Sequence, residues 1–466
     1  MRYEQQVKLE VNSKIFEINE MGMQSYIKWI ETNLPENCIV GYDPKLFSIS
    51  EIETYIKRFE NHQIKLKSIS DNLVDKIWSK IPSQKKAIIS DHKIEYSGIK
   101  RAEKLNKLID EGAIYIGKLH THELAIGAPT FSGVDKPASN PWDFNKTAGG
   151  SSSGSGSAVG GYLVPFALGT DSGGSIRNPS SMCGIVGLKP TYNSIEMRGV
   201  QPLAKTIDTV GPMARTGKDI SLIFSVLKKT LNTVNHNFKN LKIGIIEHFY
   251  NKDFIANEEV VVSFEKTIKV FEQNGSVVSK VNLDNLKTYH EVNGTIMAKE
   301  GYKQFNKQLE LMKDLIDKLT FERLYKGKYI SDESYKNAKN KKRELSQKIY
   351  EVMENFDILI TPTNFDLPFN IGDISQINKY YMRHARSPFN VSGNPAISVP
   401  CGLSKTNLPI GFQIVGRYNA DQFISDIAHD FLIKTDWENI REQNIITVSY
   451  THLRAHETDS YLVCRV

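Results

Sequence analysis

The sequence predicts an α/β protein with a mixed or parallel sheet. Short apolar runs alternate with amphipathic stretches at helical spacing, and two clusters of small residues bracket an almost wholly apolar segment. In chain order, Ala113-Ile114-Tyr115-Ile116 ends at Gly117 and reads as a buried strand. Polar loop material follows, with Gly127-Ala128-Pro129 and Asn140-Pro141-Trp142-Asp143 as turn signals. Residues 149–157 are only Gly and Ser, a linker by composition, yet residues 158–168 are apolar and a second Gly/Ser cluster succeeds them. Two such loops around a buried segment indicate backbone brought close to a ligand. Residues 241–246 read as a strand, 258–273 as an amphipathic helix, 276–278 as a strand, and 299–353 as two or three long Lys-rich helices. Strands are expected at 358–362, 396–399 and 412–415, and a helix at 421–433.

Composition narrows the function classes. The 466 residues are 40% hydrophobic and 24% charged, which suits two or three domains with cores and excludes a disordered or collagenous chain. With 59 Lys+Arg against 53 Asp+Glu the net charge is +6, and the lysines interleave with acids as on solvated helix faces. Nucleic-acid binding is therefore not expected. No apolar run approaches the roughly 18 residues of a membrane span, and residues 1–6 open no signal peptide, so the expectation is a cytoplasmic chain without membrane contact. Cys38, Cys183, Cys401 and Cys464 lie far apart without a Cys-x-x-Cys, arguing for a reducing compartment and against a disulfide scaffold or structural zinc.

The chemistry concentrates in Gly169-Thr170-Asp171-Ser172-Gly173-Gly174-Ser175-Ile176-Arg177. Adjacent glycines let several main-chain N–H groups converge on one concavity, which can hold an oxyanion without side chains. Ser175 closes that run, and Asp171 and Arg177 flank it with opposite charges that could brace the loop. Taken alone, an ordinary Gly-rich turn is the simpler reading; the Ser cluster at 151–157 shifts the balance.

Both clusters together resemble the amidase signature family. The resemblance rests on Gly117-Lys118-Leu119-His120, the run from Gly149 to Ser155, the run from Gly169 to Arg177, Cys183-Gly184-Ile185-Val186-Gly187-Leu188-Lys189-Pro190-Thr191 and Asp208-Thr209-Val210-Gly211-Pro212-Met213-Ala214-Arg215. Residues 389–396 and 408–416 also fit, so the similarity spans roughly residues 112–437. It implies a mixed twisted sheet covered by helices on both faces, with a smaller N-terminal α/β segment. It also implies a hydrolase that cleaves carboxamides through a serine acyl-enzyme. On this reading Ser175 is the nucleophile, and Ser172, Gly173, Gly174 and Ser175 supply oxyanion N–H groups. Ser151 is the bridging serine of a proton relay that ends on a neutral lysine. Lys118 belongs to a different family motif. The Gly-x-Pro-x-x-x-Lys-Asp loop of the family is not found, and at the nearest string, residues 68–72, Ser70 would stand in the lysine's place. Impaired turnover is the expectation.

Cys38-Ile39-Val40-Gly41-Tyr42-Asp43-Pro44 and residues 71–78 resemble the creatinase-like N-terminal domain of Xaa-Pro aminopeptidases, and residues 96–105 resemble the start of that family's next domain. Residues 448–466 resemble a translated sequencing adapter. The expected organisation is thus a chimeric N-terminal segment over 1–110, an amidase domain lacking its N-terminal part over 111–447, and a non-native tail over 448–466. Weaker patterns carry little. Gly150-Ser151-Ser152-Ser153-Gly154 lacks the preceding strand of a nucleophile elbow, and His120-Thr121-His122-Glu123 lacks a second ligand cluster for a metal.

The leading functional expectation is an amidase acting on a small-molecule carboxamide, with no cofactor and no metal, and with homo-oligomerisation open. The alternatives are a glutaminase subunit of a tRNA-dependent amidotransferase and a non-catalytic binding protein of the same fold. Leu119-His120-Thr121-His122-Glu123-Leu124 stands where such a glutaminase would carry an Asn-Met-Asp-Glu-Phe-like string, which favours the free-standing enzyme.

Overall fold

The computed structural model describes residues 25–42, 49–69, 107–131, 136–229, 238–311 and 313–445, and the chain divides into two units, Met1–Asp91 and His92–Val466. In the first, α1 (Ser25–Asn33) precedes β1 (Ile39–Tyr42), α2 (Ile49–Glu60) and β2 (Lys65–Ser68). The two strands pair in parallel, as a helical crossover allows. A small core of Ile27, Phe59 and Ile64 holds them, and Arg58 grips Glu31 with two hydrogen bonds. Of the Cys38–Pro44 string, Ile39–Tyr42 forms β1, whereas residues 43–44, 70–78, 96–105 and 448–466 lie outside the described residues.

In the second unit a 3-10 turn at Glu123–Ala125 precedes a short hairpin of β3 (Ser139–Asn140) and β4 (Asp143–Thr147). Next come α3 (Ser153–Gly160), β5 (Phe166–Asp171), α4 (Arg177–Cys183), β6 (Val186–Lys189), β7 (Thr209–Ala214) and α5 (Gly217–Lys228). The middle contributes β8 (Lys242–Ile245), α6 (Glu258–Gln273), β9 (Val277–Lys280), α7 (Leu286–Leu311), α8 (Lys318–Tyr325) and α9 (Asp332–Met353). The last part supplies β10 (Ile358–Pro362), α10 (Ile374–Tyr380), α11 (Ser387–Ser392), β11 (Ala396–Leu403), β12 (Pro409–Gly416), α12 (Asp421–Lys434) and α13 (Trp437–Asn444).

Eight strands form one sheet in the order β5-β7-β6-β11-β12-β10-β8-β9. β8 runs parallel to β9 and β10 and the other pairings are antiparallel, so the sheet is mixed. Alternation along β12 shows that helices cover both faces. Phe412 packs against Phe271 of α6 and Phe431 of α12, while a Cβ at Gly411 would meet Ser181 of α4, and neighbouring strand residues point to opposite sides. Strands buried this way need no polar face, and β6, β10 and β12 are buried throughout.

The helix boundaries follow local chemistry. Asn257 caps α6 by accepting the Glu259 N–H, two glutamates sit in the first turn, and Val260, Phe264, Thr267 and Phe271 form its buried stripe. Thr216 and Ser331 cap α5 and α9 in the same manner.

One expectation is corrected. Residues 113–116 form no strand, and Ile114 and Ile116 are 86% and 73% exposed. A strand needs a partner for its main-chain donors and acceptors, and no described segment pairs with this one.

Candidate active site

The first Gly/Ser run is not a linker. Residues 153–160 wind into α3, buried for most of its length, and Ser155 Oγ and Ser157 Oγ donate to the carbonyls of Leu168 and Ser139. The two small-residue loops are stitched together. Ser152 N–H donates to the Ser175 carbonyl (3.2 Å), Ser152 Oγ accepts from Thr170 N–H (3.2 Å), and Asn178 Nδ2 donates to the Gly150 carbonyl (3.1 Å). The Gly150–Ser151 peptide is cis.

The second loop leaves β5 at Asp171 and turns into α4. Asp171 and Arg177 are fully buried and joined by Arg177 Nη2 to Asp171 Oδ1 (3.0 Å) and Nε to Oδ2 (3.1 Å). Arg177 also donates to Asn390 Oδ1, Gln413 Oε1 and the Arg386 carbonyl, so one guanidinium ties β5, α4, α11 and β12 to one another. Its charge draws the Asp171 carboxyl far below the usual range despite burial that opposes ionisation. Asp171 in turn accepts the N–H groups of Gly174 (2.7 Å) and Ile176 (3.2 Å), which shapes the turn that presents Ser175.

Ser151, Gly173 and Ser175 line one cavity, of about 170 Å³, together with His122, Asn178, Asn293, Arg323 and Arg386. Ser175 is half-buried and Ser151 is buried. The main-chain N–H groups of Gly173 and Ser175 have no acceptor among the described residues and are the donors left for an oxyanion. One sequence assignment changes. The Gly174 N–H is spent on Asp171, because that bond forms the turn. Ser172 lies outside the cavity lining, with its hydroxyl on Asp208 Oδ1 (2.5 Å) and its carbonyl accepting from Asn293 (3.0 Å). Gly174 is required for another reason. It sits at φ 113°, and a Cβ there would lie 2.5 Å from Arg386 Cδ.

Sequence reasoning missed most of the cavity wall. Arg386 is buried, donates from Nη1 to the Gly174 carbonyl (3.3 Å), makes no ion pair among the described residues and leaves Nε without a partner. Burial, and then the nearby Arg177 charge, push its guanidinium down to about 9. His290 and His384 pack edge to face with ring centroids 4.6 Å apart, and burial followed by the Arg386 charge lowers His290 to about 3. His122 is buried, donates its main-chain N–H to the Ser151 carbonyl (2.9 Å) and leaves Nε2 unpartnered. Asn390 and Gln413 fall inside quoted motifs, but only the folded chain shows that they hold Arg177.

The chain matches the Amidase family over residues 90–424. It belongs to that family.

Among its curated relatives, a glutamyl-tRNA(Gln) amidotransferase subunit of Alkaliphilus metalliredigens is 31% identical over 367 residues, 70% of this chain and 74% of that protein. The corresponding amidotransferase subunit of Clostridium botulinum (strain Loch Maree) is 32% identical over 376 residues, covering 72% and 77%. Solved amidase-family structures align as well. The glutamyl-tRNA(Gln) amidotransferase subunit from Thermotoga maritima has a TM-score of 0.60 at 31% identity, covering 70% of this chain and 75% of that one. A 6-aminohexanoate cyclic dimer hydrolase reaches 0.65 at 25% identity, covering 74% and 80%. The chain is thus an amide-hydrolysing enzyme by family, with the amidase-signature fold. Among the described residues no helix is long and apolar enough to cross a membrane.

Proposed function

We propose that this chain cleaves a carboxamide through an acyl-enzyme on Ser175. The observation that carries the reading is the placement of Ser175 and Ser151 on one cavity whose wall includes the unbonded amides of Gly173 and Ser175. Ser175 Oγ attacks the amide carbon while its proton passes to Ser151 Oγ. The developing oxyanion meets the two amides, the C–N bond breaks as the proton reaches the leaving nitrogen, and water then hydrolyses the ester.

For the finer role, the relatives' shared name supports release of ammonia from glutamine within a larger amidotransferase assembly. The free-standing amidase is a second reading because Leu119-His120-Thr121-His122-Glu123-Leu124 departs from the string expected of such a glutaminase. The deciding experiment measures ammonia from glutamine and from a panel of simple amides, using the full chain and Ser175→Ala. Glutamine turnover that rises with a co-purifying partner supports the amidotransferase role. Turnover confined to simple amides supports the free-standing enzyme, and turnover that survives Ser175→Ala ends the acyl-enzyme reading.

A further inference from the structure

The cavity wall is positively charged. Arg323, Arg383 and Arg386 line it against one acid among the described residues, Asp366, and Arg383 holds that acid through bonds of 2.6 and 3.1 Å. Arg323 donates from Nη1 to the carbonyls of Ile126 and Gly127 and lies 4.0 Å over the Tyr381 ring. Arg386 is placed differently. It is 8% exposed, and its Nη1 reaches the carbonyl of Gly174, in the peptide that leads into Ser175. Nε and Nη2 form the edge of the fork that pairs side-on with a carboxylate, and neither makes a hydrogen bond among the described residues. The Asp171 carboxylate nearby is committed to Arg177.

Neutral orphaned atoms share this wall, among them Asn364 Nδ2 and His290 Nε2, and one water can satisfy a group of that kind. A buried guanidinium makes a stronger demand. It is costly to desolvate without an anion, and a second cation, Arg177, stands beside it.

Resting on the acyl-enzyme reading above, we infer that the substrate carries a carboxylate on its acyl half, held by the Nε/Nη2 edge of Arg386. The substrate class is the monoamide of a short dicarboxylic acid. Because the guanidinium bonds to the peptide beside Ser175, the spacer between the carboxylate and the scissile carbonyl is short, and a cavity of about 170 Å³ suits a small acyl group. The excess of positive charge on the wall repels an ammonium. A monoanionic amide is therefore preferred over a zwitterionic one such as glutamine. Once the carboxylate is anchored, the carbonyl carbon is held over Ser175 Oγ, so Arg386 acts by positioning the acyl half.

The test reads ammonia released by the full chain from glutaramate (the monoamide of glutaric acid), from its methyl ester and from glutamine. The ester lacks only the negative charge, and glutamine adds only the α-ammonium. kcat/KM for glutaramate should exceed that for the ester by about 10²-fold and should also exceed that for glutamine. Arg386→Met should bring the glutaramate-to-ester ratio close to one, and Arg386→Lys should keep part of it. A residue that merely supports the loop would slow both substrates alike, so a ratio unchanged in Arg386→Met overturns the inference. So does an ester turned over as well as glutaramate, and glutamine turned over faster than glutaramate refutes the monoanionic class. A second readout needs no turnover. Calorimetry on full-length Ser175→Ala should show glutaramate binding that weakens about 10²-fold in Arg386→Met/Ser175→Ala; equal affinities, or no binding to either, overturn the carboxylate site. If no amide is turned over, the acyl-enzyme reading fails instead, and the calorimetry alone judges Arg386.

Discussion

Arg177 and Asp171 form a two-pronged ion pair, at 3.0 and 3.1 Å, fully buried beneath the loop that presents Ser175. Every polar atom of the pair is directed at a group that shapes the site, so the charges act as a positioning frame and not as surface decoration.

Breaking that pair strands a buried charge. Arg177→Met leaves Asp171 without its cation and should cost about 3–5 kcal/mol, read as a lower urea midpoint. Ser175 labelling should fall with it, because the turn loses its anchor. A midpoint equal to the parent's would show that the frame is dispensable.

Arg386→Met should behave in the opposite sense for stability. Its guanidinium is buried, has no ion pair among the described residues and lies beside the charge of Arg177. Replacing such a cation with an apolar side chain of similar length should leave the urea midpoint equal or higher, by about 1 kcal/mol or more. Amide turnover should drop, since Arg386 lines the cavity and packs on Gly174.

Gly174→Ala combines two penalties. At φ 113° an L side chain is strained, and the added methyl meets Arg386. A loss of about 1–3 kcal/mol, seen in the thermal midpoint, should accompany slower acylation, whereas alanine at an exposed loop glycine should do little.

Acid should unfold this chain through its histidines. His122 and His290 are lowered to about 4 and about 3, and His384 lies well below its ordinary value, in each case through burial first. Between pH 6.5 and these folded-state values the unfolded chain binds more protons, so stability falls as pH drops through that window. Asp171 adds its loss only at more acid pH, where its carboxyl, held low by Arg177, is forced to protonate. Urea midpoints at about pH 7 and about pH 5 test the sign: equal midpoints would remove the histidine contribution, and His290→Phe should narrow the gap.

How much of this was legible beforehand varies by element. The helix at Glu258–Gln273 and the strands β8, β10 and β12 announce themselves, because a cap with an apolar stripe, or a short β-branched run, is a local pattern. Residues 113–116 misled for the same reason: their side chains suit a strand, but pairing depends on a partner that the run does not specify.

The sequence by itself determined the two serine-bearing loops and their order, the alternation of strands and helices, and membership of the amidase family; each lives in residue types at short spacing or in a motif read whole. Only the tertiary structure decided that the Gly174 amide is spent on Asp171, that Asn390 and Gln413 hold Arg177 from beyond residue 380, and that Arg386 joins the cavity wall. It likewise placed the His122 ring against Gly150. Those outcomes depend on contacts between residues tens to hundreds of positions apart, where burial and competition for a hydrogen-bond partner assign each polar group its role.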